Sequence, residues 1–371
     1  MNDNIVNKNL GVRIYFGIFG YLFIFGVLFL ILLGKSSKKI PLYKKFTPKK
    51  FIAIIPAHNE EAVIANSIKS SRKAGFDHII VLLDNCLDNT PVIARGLGAE
   101  SIFVNFRSKG RTLAFALPKI VEKYGDDAFY MIFDADNVVE PCYIEKLKPY
   151  VESYPVVQTN LYNLNTEGII PRMYIFLDAI YLRIQKALTL LGLSSIISGY
   201  GWGAYGWVFK KHKFDCNSVL EDFEYTVKLP LKVTFVEEAT VYDEKPTEFI
   251  PSFRQRLRWY RGYFYTVFKE NGIVKNLYTI PLIIGTATGI LSFLLSLPDP
   301  LYISIPVVVF ALHTLIFLLP LNERELKDVK WYDTFLIFFF NMTNLVAIIT
   351  AMFTYNKTDW VKTPHAYRVH I

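Results

Sequence analysis

Hydrophobic and polar positions alternate with two different periods between residues 51 and 136. Short apolar runs rich in β-branched residues, such as FIAII starting at Phe51, predict buried strands, and the segments between them repeat their apolar positions with helical spacing. The first helical segment ends at Gly75, as a helix stop signal predicts. Strands that alternate with helices over about 100 residues predict an α/β domain with a doubly wound, mostly parallel sheet.

Four longer stretches, 11–33, 278–297, 301–321 and 335–353, are nearly free of charge. Each approaches the roughly 20 apolar residues that cross a bilayer. A hydrophobic content of 52% and a mean hydropathy of +0.27 favour the same reading over four buried core helices. The first stretch exceeds the ~7–15 apolar residues of a signal peptide and precedes no small-residue cleavage site. We therefore predict a retained transmembrane anchor over residues 1–34 and transmembrane helices within residues 276–354.

Seven lysines follow the predicted anchor, at positions 35, 38, 39, 44, 45, 49 and 50. Positive flanks stay on the cytoplasmic side, so we expect an integral protein of the cell membrane with residues 35–248 as a cytosolic domain. The lysines suit anionic lipid headgroups, so the net charge of +8 requires no nucleic-acid partner. The three cysteines lack metal-ligand spacing and are expected to be free thiols, and the six histidines form no zinc-like pair.

Polar side chains follow three of the predicted strands at the edge where parallel sheets bind ligands. Neither a dinucleotide fingerprint nor a P-loop is present, so a nucleotide would be held by carboxylates and a metal ion. Two carboxylates separated by one residue can face a hard cation that also binds phosphate oxygens. A solvated acidic turn is the alternative. The residues at these strand ends are Ala57, His58, Glu60, Asp84, Asp134 and Asp136.

Three further places carry candidate chemistry. Lys109 opens a predicted helix, where a lysine is unfavourable unless an anion such as a diphosphate is present; a solvated lysine is the alternative. Gly199 and Trp202 belong to a glycine and aromatic alternation that suits sugar rings, or else forms a glycine-rich loop. The adjacent carboxylates Glu221 and Asp222 include a potential general base for an acceptor hydroxyl.

Residues 249–275 predict an amphipathic helix that lies in a membrane interface. One face carries Phe253, Leu257 and Phe264. A second face gathers Gln255, Arg258 and Trp259, and membrane binding alone does not explain this cluster.

Six short motifs, in order from residue 52 to 262, read IPAHNEE, LLDNCLDNT, SKGRTLAFAL, DAD, LED and QRLRW, and WVKTPH follows at 360–365. Each is weak alone, but the ordered set resembles the membrane-embedded family-2 glycosyltransferases, which include cellulose, chitin, hyaluronan and poly-N-acetylglucosamine synthases. The family carries threonine where this chain has Leu220.

The resemblance implies a GT-A fold, a nucleotide-diphosphate sugar donor such as a UDP-sugar, and Mg²⁺ or Mn²⁺. The implied donor-binding residues are Ala57, His58, Glu60, Asp84, Lys109, Asp134, Gln255, Arg258 and Trp259, with Asp134 and Asp136 holding the metal. Asp222 is the implied base that deprotonates the acceptor. The implied acceptor-binding residues are Gly199, Trp202, Glu221 and Trp259. The reaction would be a single in-line displacement with inversion.

The acceptor and the membrane topology stay open at the level of sequence. A growing β-linked polysaccharide, a lipid-linked acceptor or glycolipid, and a catalytically inactive scaffold are the three hypotheses, and the intact acidic set disfavours the last. If all three C-terminal segments span the membrane, the tail 355–371 lies on the opposite side from the donor site. An interfacial or re-entrant segment, such as the one from 278, would resolve that conflict.

Overall fold

The computed structural model of the protein describes residues 26–270, 311 and 314–357. The apolar segment 278–297, much of 301–321, the first part of the predicted anchor and the WVKTPH sequence lie outside the described residues. Predictions about those segments remain predictions.

Eight strands form one mixed sheet in the order β3-β2-β1-β4-β7-β6-β8-β5. The strands are β1 Phe51–Ala57, β2 His78–Asp84, β3 Glu100–Val104, β4 Phe129–Ile132, β5 Val138–Val139, β6 Val156–Asn163, β7 Trp202–Tyr205 and β8 Thr234–Asp243. The helices are α1 Gly26–Lys35, α2 Ile64–Lys73, α3 Thr90–Gly96, α4 Lys109–Tyr124, α5 Tyr143–Val151, α6 Ile169–Leu190, α7 Gly206–Lys211, α8 Glu221–Lys228, α9 Phe249–Lys269, α10 Glu323–Asp328 and α11 Asp333–Thr354.

The first half of the sheet confirms the predicted parallel α/β arrangement. Strand β1 pairs in parallel with β2 and with β4, and β2 pairs in parallel with β3. Strands β1 and β2 are buried almost throughout, because helices cover both faces of the sheet and every side chain enters a core. The carboxyl ends of β2, β1 and β4 therefore lie side by side.

The second half of the sheet is mixed, which the alternation of strands and helices did not predict. Strand β7 lies between β4 and β6 and runs antiparallel to both, with Ile132 opposite Trp202. Because of this direction, the start of β7 lies at the end of β4. The loop before β7 therefore meets the turn after β4.

A second apolar cluster lies outside the sheet, where α1 and α11 pack against α6. Its buried members include Ile31 from α1, Phe176 from α6 and Ile337 from α11. Trp259 of α9 packs against the same cluster. Helix α9 thus stands between the sheet and the C-terminal helices.

Within the described residues, α11 is the one helix long and apolar enough to cross a membrane, judged by length and composition. It coincides with the predicted segment 335–353. The described end of the predicted anchor is the shorter apolar helix α1. The predicted hydrophobic segments thus form helices where they are described.

Candidate active site

Lys109, Asp134 and Asp222 converge on the backbone of Gly199. A Cβ atom added at Gly199 would lie 3.0 Å from Asp134 Oδ2, 3.3 Å from Lys109 Nζ and 3.4 Å from Asp222 Oδ2. Lys109 Nζ donates to Asp134 Oδ1 at 2.5 Å and to the Gly199 carbonyl oxygen at 3.1 Å. Four predicted site residues therefore share one small volume, and glycine leaves room for a ligand to approach them.

The first turn of α8 supplies two buried carboxylates to this volume. Glu221 Oε1 lies 3.5 Å from Lys109 Nζ, and Asp222 Oδ1 accepts a hydrogen bond of 2.8 Å from the Phe223 amide. Burial and the neighbouring Glu221 carboxylate raise the pKa of Asp222 to about 7, although Lys109 opposes the shift. A carboxylate that titrates near neutral pH can accept a proton from a hydroxyl group.

The site carries more negative than positive charge. Burial alone would lower the pKa of Lys109, but Asp134, Glu221 and Asp222 together raise it above its ordinary value. One ammonium group therefore faces three carboxylates, and Asp136 lies two residues from Asp134. This imbalance favours the binding of a cation.

Two buried amide side chains, not predicted from the sequence, shape the loops of the site. Asn137 Oδ1 accepts from the Asp134 amide at 3.0 Å, and its Nδ2 donates to Asp136 and Asp243. Gln158 Oε1 accepts from the Ser198 amide at 2.8 Å, and its Nε2 donates to the Tyr200 carbonyl oxygen. These bonds hold the turn after β4 and the loop before β7 in place. Asn137 follows the Asp-Ala-Asp sequence directly, which is the signal that could have identified it.

Asp84 orders the protein backbone, which differs from its predicted contact with the nucleotide. Its Oδ1 accepts from the Phe106 and Arg107 amides at 2.8 and 2.9 Å, and its Oδ2 accepts from the Ser108 amide and the Thr112 hydroxyl at 2.9 and 3.0 Å. A carboxylate offers about four lone-pair sites. All are used here, so Asp84 fixes the loop that leads into α4 and thereby the position of Lys109.

The residues after β1 lie at the neighbouring strand end. His58 Nδ1 donates to the Asp84 carbonyl oxygen at 2.6 Å, and the Glu60 amide donates to Thr90 Oγ1 at 2.7 Å. The Ala57 carbonyl oxygen accepts from the Cys86 thiol at 3.4 Å. The loops after β1 and β2 are thus joined at the ligand-binding edge of the sheet. The predicted contacts of Ala57, His58 and Glu60 with the nucleotide stay predictions.

Trp202 lies in the core, so its predicted role as an acceptor platform is wrong. Its side chain is fully buried in β7. Its ring stacks on Phe214 at a centroid distance of 6.0 Å and packs against Phe209 and Tyr225. No face of the indole is left for a sugar. A glycine and aromatic alternation occurs both in sugar sites and in strands that enter a core, and the sequence did not separate the two.

Helix α9 reaches the site through its contact with the start of α8. A Cβ atom at Gly262 would lie 2.4 Å from Leu220 Cβ and 2.8 Å from the Leu220 amide nitrogen. Arg258 precedes Gly262 by four residues and therefore lies on the same face of the helix. Arg258 Nε is buried without a hydrogen-bond partner. A ligand between α8 and α9 would supply an acceptor for it.

Gln255 and Trp259 lie against α6. Gln255 Oε1 accepts from the Tyr174 hydroxyl at 3.2 Å, and the Trp259 ring meets the Tyr174 ring edge-on at 6.3 Å. Arg256, which the sequence analysis did not single out, is buried in the same helix and donates to Asn344 Oδ1. Its guanidinium stacks over Phe340 at 4.0 Å. Within the QRLRW sequence, Arg258 thus lies on the side of the site and Arg256 on the side of α11.

Comparison with known proteins identifies a family for most of the chain and a shared fold. A family model described as "Glycosyltransferase like family 2" matches residues 48–262, more than half of the chain. The probable glycosyltransferase YdaM of Bacillus subtilis is 26% identical over 274 residues, which is 63% of this chain and 60% of YdaM. An uncharacterized protein of Methanocaldococcus jannaschii is 27% identical over 126 residues, 31% of this chain and 51% of that protein. The matches therefore span 51% and 60% of these curated relatives.

Among solved structures, the mannosyltransferase PcManGT from Pyrobaculum calidifontis, in complex with GDP-Man and Mn²⁺, is similar with a TM-score of 0.59 and 12% identity. The match covers 93% of this chain and 98% of that chain. At this identity the likeness establishes a shared fold.

Proposed function

Since the chain belongs to glycosyltransferase-like family 2, we propose that it transfers a sugar from a UDP-sugar to a growing β-linked polysaccharide. The observation that carries this proposal is the convergence of Lys109, Asp134 and Asp222 on Gly199. A cationic group for a diphosphate and a base for an acceptor hydroxyl thus lie within a few ångströms of each other. The ordered motifs that include QRLRW support the polymerising subfamily.

In the proposed reaction, Asp222 accepts the proton of the acceptor hydroxyl. The acceptor oxygen then forms a bond to the anomeric carbon while the bond from that carbon to the diphosphate breaks. The electron pair of the broken bond leaves with the diphosphate, and the configuration inverts. The raised pKa of Asp222 suits this role, because a general base works best when its pKa lies near the operating pH.

The residues of the site fit Mg²⁺ or Mn²⁺. Asp134 and Asp136 offer hard oxygen atoms after β4, and the excess negative charge favours a cation. In the described part of the chain, no three His, Cys, Asp or Glu side chains are arranged to hold a metal by themselves. The remaining ligands would be diphosphate oxygens, as is usual for Mg²⁺. When bound, the cation supplies positive charge that stabilises the departing diphosphate.

Helix α9 would close the opposite side of the donor site. The unpartnered Nε of Arg258 is suited to a phosphate oxygen, because a guanidinium binds phosphate in a fixed fork geometry. Trp259 and Gln255, supported by Tyr174, would flank the terminal sugar of the acceptor. Lys109 would bind the donor at its phosphate or ribose side.

Arg258→Ala tests the donor site, with Arg254→Ala as the matched control on an exposed turn of the same helix. Loss of a hydrogen bond to a charged group costs about 1.5–3 kcal/mol, roughly 10- to 150-fold in affinity. Titration calorimetry with UDP and Mn²⁺ should show this weakening for Arg258→Ala and wild-type affinity for Arg254→Ala. Equal affinities in both variants would contradict the placement of the diphosphate beside Arg258.

A second candidate reaction is the transfer of a single sugar to a lipid-linked acceptor or glycolipid. The exposed apolar side chains Phe249 and Ile250 at the start of α9 favour it, because they would bring a lipid close to the site. Product length with a radiolabelled donor separates the two reactions. Products that carry one added sugar only would overturn the polymerising function, whereas a ladder of products would support it.

A further inference from the structure

Helix α11 is held against α6 and α9 at its start, its middle and its end. In its first turn, Asp333 accepts two hydrogen bonds from Arg172 of α6, at 2.7 and 3.1 Å, and the Asp333 side chain is fully buried. In its middle, Asn344 and Thr343 accept from Arg256 at 2.5 and 3.0 Å. These bonds join two of its turns to α6 and α9.

The last turn of α11 is tied in the same way. Thr354 Oγ1 accepts from Arg261 Nε at 3.0 Å, and the Tyr355 ring packs edge-on against Phe268 at 5.2 Å. Partners on α9 thus advance from Arg256 to Phe268 as partners on α11 advance from Asn344 to Tyr355. The two helices run side by side in the same direction.

This arrangement limits how α11 can meet a membrane. A 22-residue helix is about 33 Å long, close to the ~30 Å thickness of a bilayer core. If α11 crossed that core, the part of α9 from Arg256 to Phe268 would have to enter it as well. Helix α9 carries four arginines within eight positions, from Arg254 to Arg261, and charged side chains at the centre of a bilayer are strongly disfavoured.

We propose that α11 lies flat in the surface of a lipid bilayer beside α9, and that its outer face is the membrane-binding surface of this protein. The face consists of the exposed apolar side chains Phe335, Phe339, Val346, Ile349, Met352 and Phe353. On the other side of the helix, Asp333, Thr343, Asn344 and Thr354 accept hydrogen bonds from arginines of α6 and α9. By composition α11 would also pass as a spanning helix, so this orientation follows from the bonds that hold its other face to α6 and α9.

The surroundings of this outer face match a lipid surface in chemistry. Trp331, 79% exposed, and Lys330 stand at the start of α11, and tryptophan and lysine are suited to the headgroup region. At the end of α1, Lys35 donates to the carbonyl oxygens of Leu319 and Leu321, shortly before α11 begins. Cationic side chains that adjoin an apolar face favour an anionic bilayer as the partner.

The proposal changes the topology expected from the sequence. With α11 in the interface, Lys357 lies on the same side of the membrane as the catalytic domain. The last described turn of the chain lies beside α9, near Arg261 and Phe268. This outcome removes the conflict that arises if all three C-terminal segments span the membrane.

Depth measurements on the full protein in vesicles of phosphatidylcholine and phosphatidylglycerol test the proposal. Spin labels are placed at Phe335→Cys, Phe339→Cys, Val346→Cys and Phe353→Cys in a variant that lacks the three native cysteines and keeps the wild-type melting temperature. The exposed Glu122→Cys on α4 is the aqueous control. Oxygen and a water-soluble nickel complex then report the depth of each label.

An interfacial helix predicts similar depths of about 5–10 Å at all four positions. A spanning helix predicts a depth near 15 Å at residue 346 and shallow values at 335 and 353, and that result would overturn the proposal. Labels shielded from both reagents would mean that another part of the chain covers the face, which would overturn it as well. An impermeant maleimide should also label Lys357→Cys and Glu122→Cys from the same side.

Discussion

The contact between α8 and α9 at Gly262 predicts how a single methyl group would disturb the site. Gly262→Ala places a Cβ atom 2.4 Å from Leu220 Cβ and 2.8 Å from the Leu220 amide nitrogen. Leu220 is the N-cap residue of α8, and the helix begins with Glu221 and Asp222. The backbone here has little freedom, because the Leu220 amide also donates to Ser218 Oγ, which itself donates to the Gly262 carbonyl oxygen.

The size of the effect follows from these distances. Ordinary contacts begin near 3.4 Å, so α8 and α9 must separate by about 1 Å to admit the methyl group. A displacement of about 1 Å at a catalytic group can cost roughly 100-fold in rate. Overpacking costs about 1–3 kcal/mol of stability, partly offset by up to about 1 kcal/mol of helix propensity from alanine. We therefore expect a large loss of turnover with a small loss of stability.

The assay measures nucleotide release and the melting temperature for Gly262→Ala and for Gly96→Ala. Gly96 ends α3, and a Cβ atom there meets nothing within 4 Å. The control should keep wild-type turnover and gain up to about 1 kcal/mol of stability. Wild-type kcat/KM in Gly262→Ala would refute the inference that close packing of α9 on α8 positions the catalytic carboxylate.

Four further predictions concern the carboxylates of Asp222 and Asp84. Asp222→Asn should abolish transfer and leave nucleotide affinity within about threefold of wild type, as measured by calorimetry, because the lost group acts on the acceptor. The pH profile of kcat/KM should rise through about pH 7, since Asp222 must be deprotonated to act as the base. Because the pKa of Asp222 is raised in the folded protein, the stability that its protonated carboxyl contributes is present at low pH and is lost as pH rises through about 7. The free energy of unfolding of Asp222→Asn should therefore increase relative to that of wild type as pH rises from about 4 to 8, as measured by denaturant titration. Asp84→Asn should lower the free energy of unfolding by at least about 2 kcal/mol, because an amide cannot accept all four hydrogen bonds. If the stability is unchanged and donor binding is weaker, Asp84 contacts the nucleotide instead.

The strands of the first half of the sheet could be predicted because their pattern is local. The apolar runs from Phe51 and His78 are bounded by polar residues and glycine, and both form strands where expected. Strand β7 has only four residues, and both of its neighbours in the sheet, β4 and β6, are distant in sequence. Its antiparallel pairing depends on those neighbours, so no local pattern could predict it.

Among the residues of the site, some could likewise be predicted from local sequence and others could not. Asp134 and Lys109 were predicted from strand ends and a helix start, and the structure brings them together. Asp222 joins them because α8 folds back onto the sheet, which the sequence indicated only through the resemblance to a family. Arg256 could not be distinguished from its neighbour Arg258, because its burial depends on α11, more than 70 residues further along the chain.

Nucleotide release from defined donors tests the central claim most directly. Wild type and Asp222→Asn are incubated with UDP-glucose, UDP-N-acetylglucosamine, UDP-glucuronate or GDP-mannose, each with and without Mn²⁺. We predict that wild type releases nucleotide from a UDP-sugar in the presence of the metal, and that Asp222→Asn does not. Equal release by both proteins, or no release from any of the four donors by wild type, would contradict a glycosyltransferase site built on Asp222, Lys109 and Asp134.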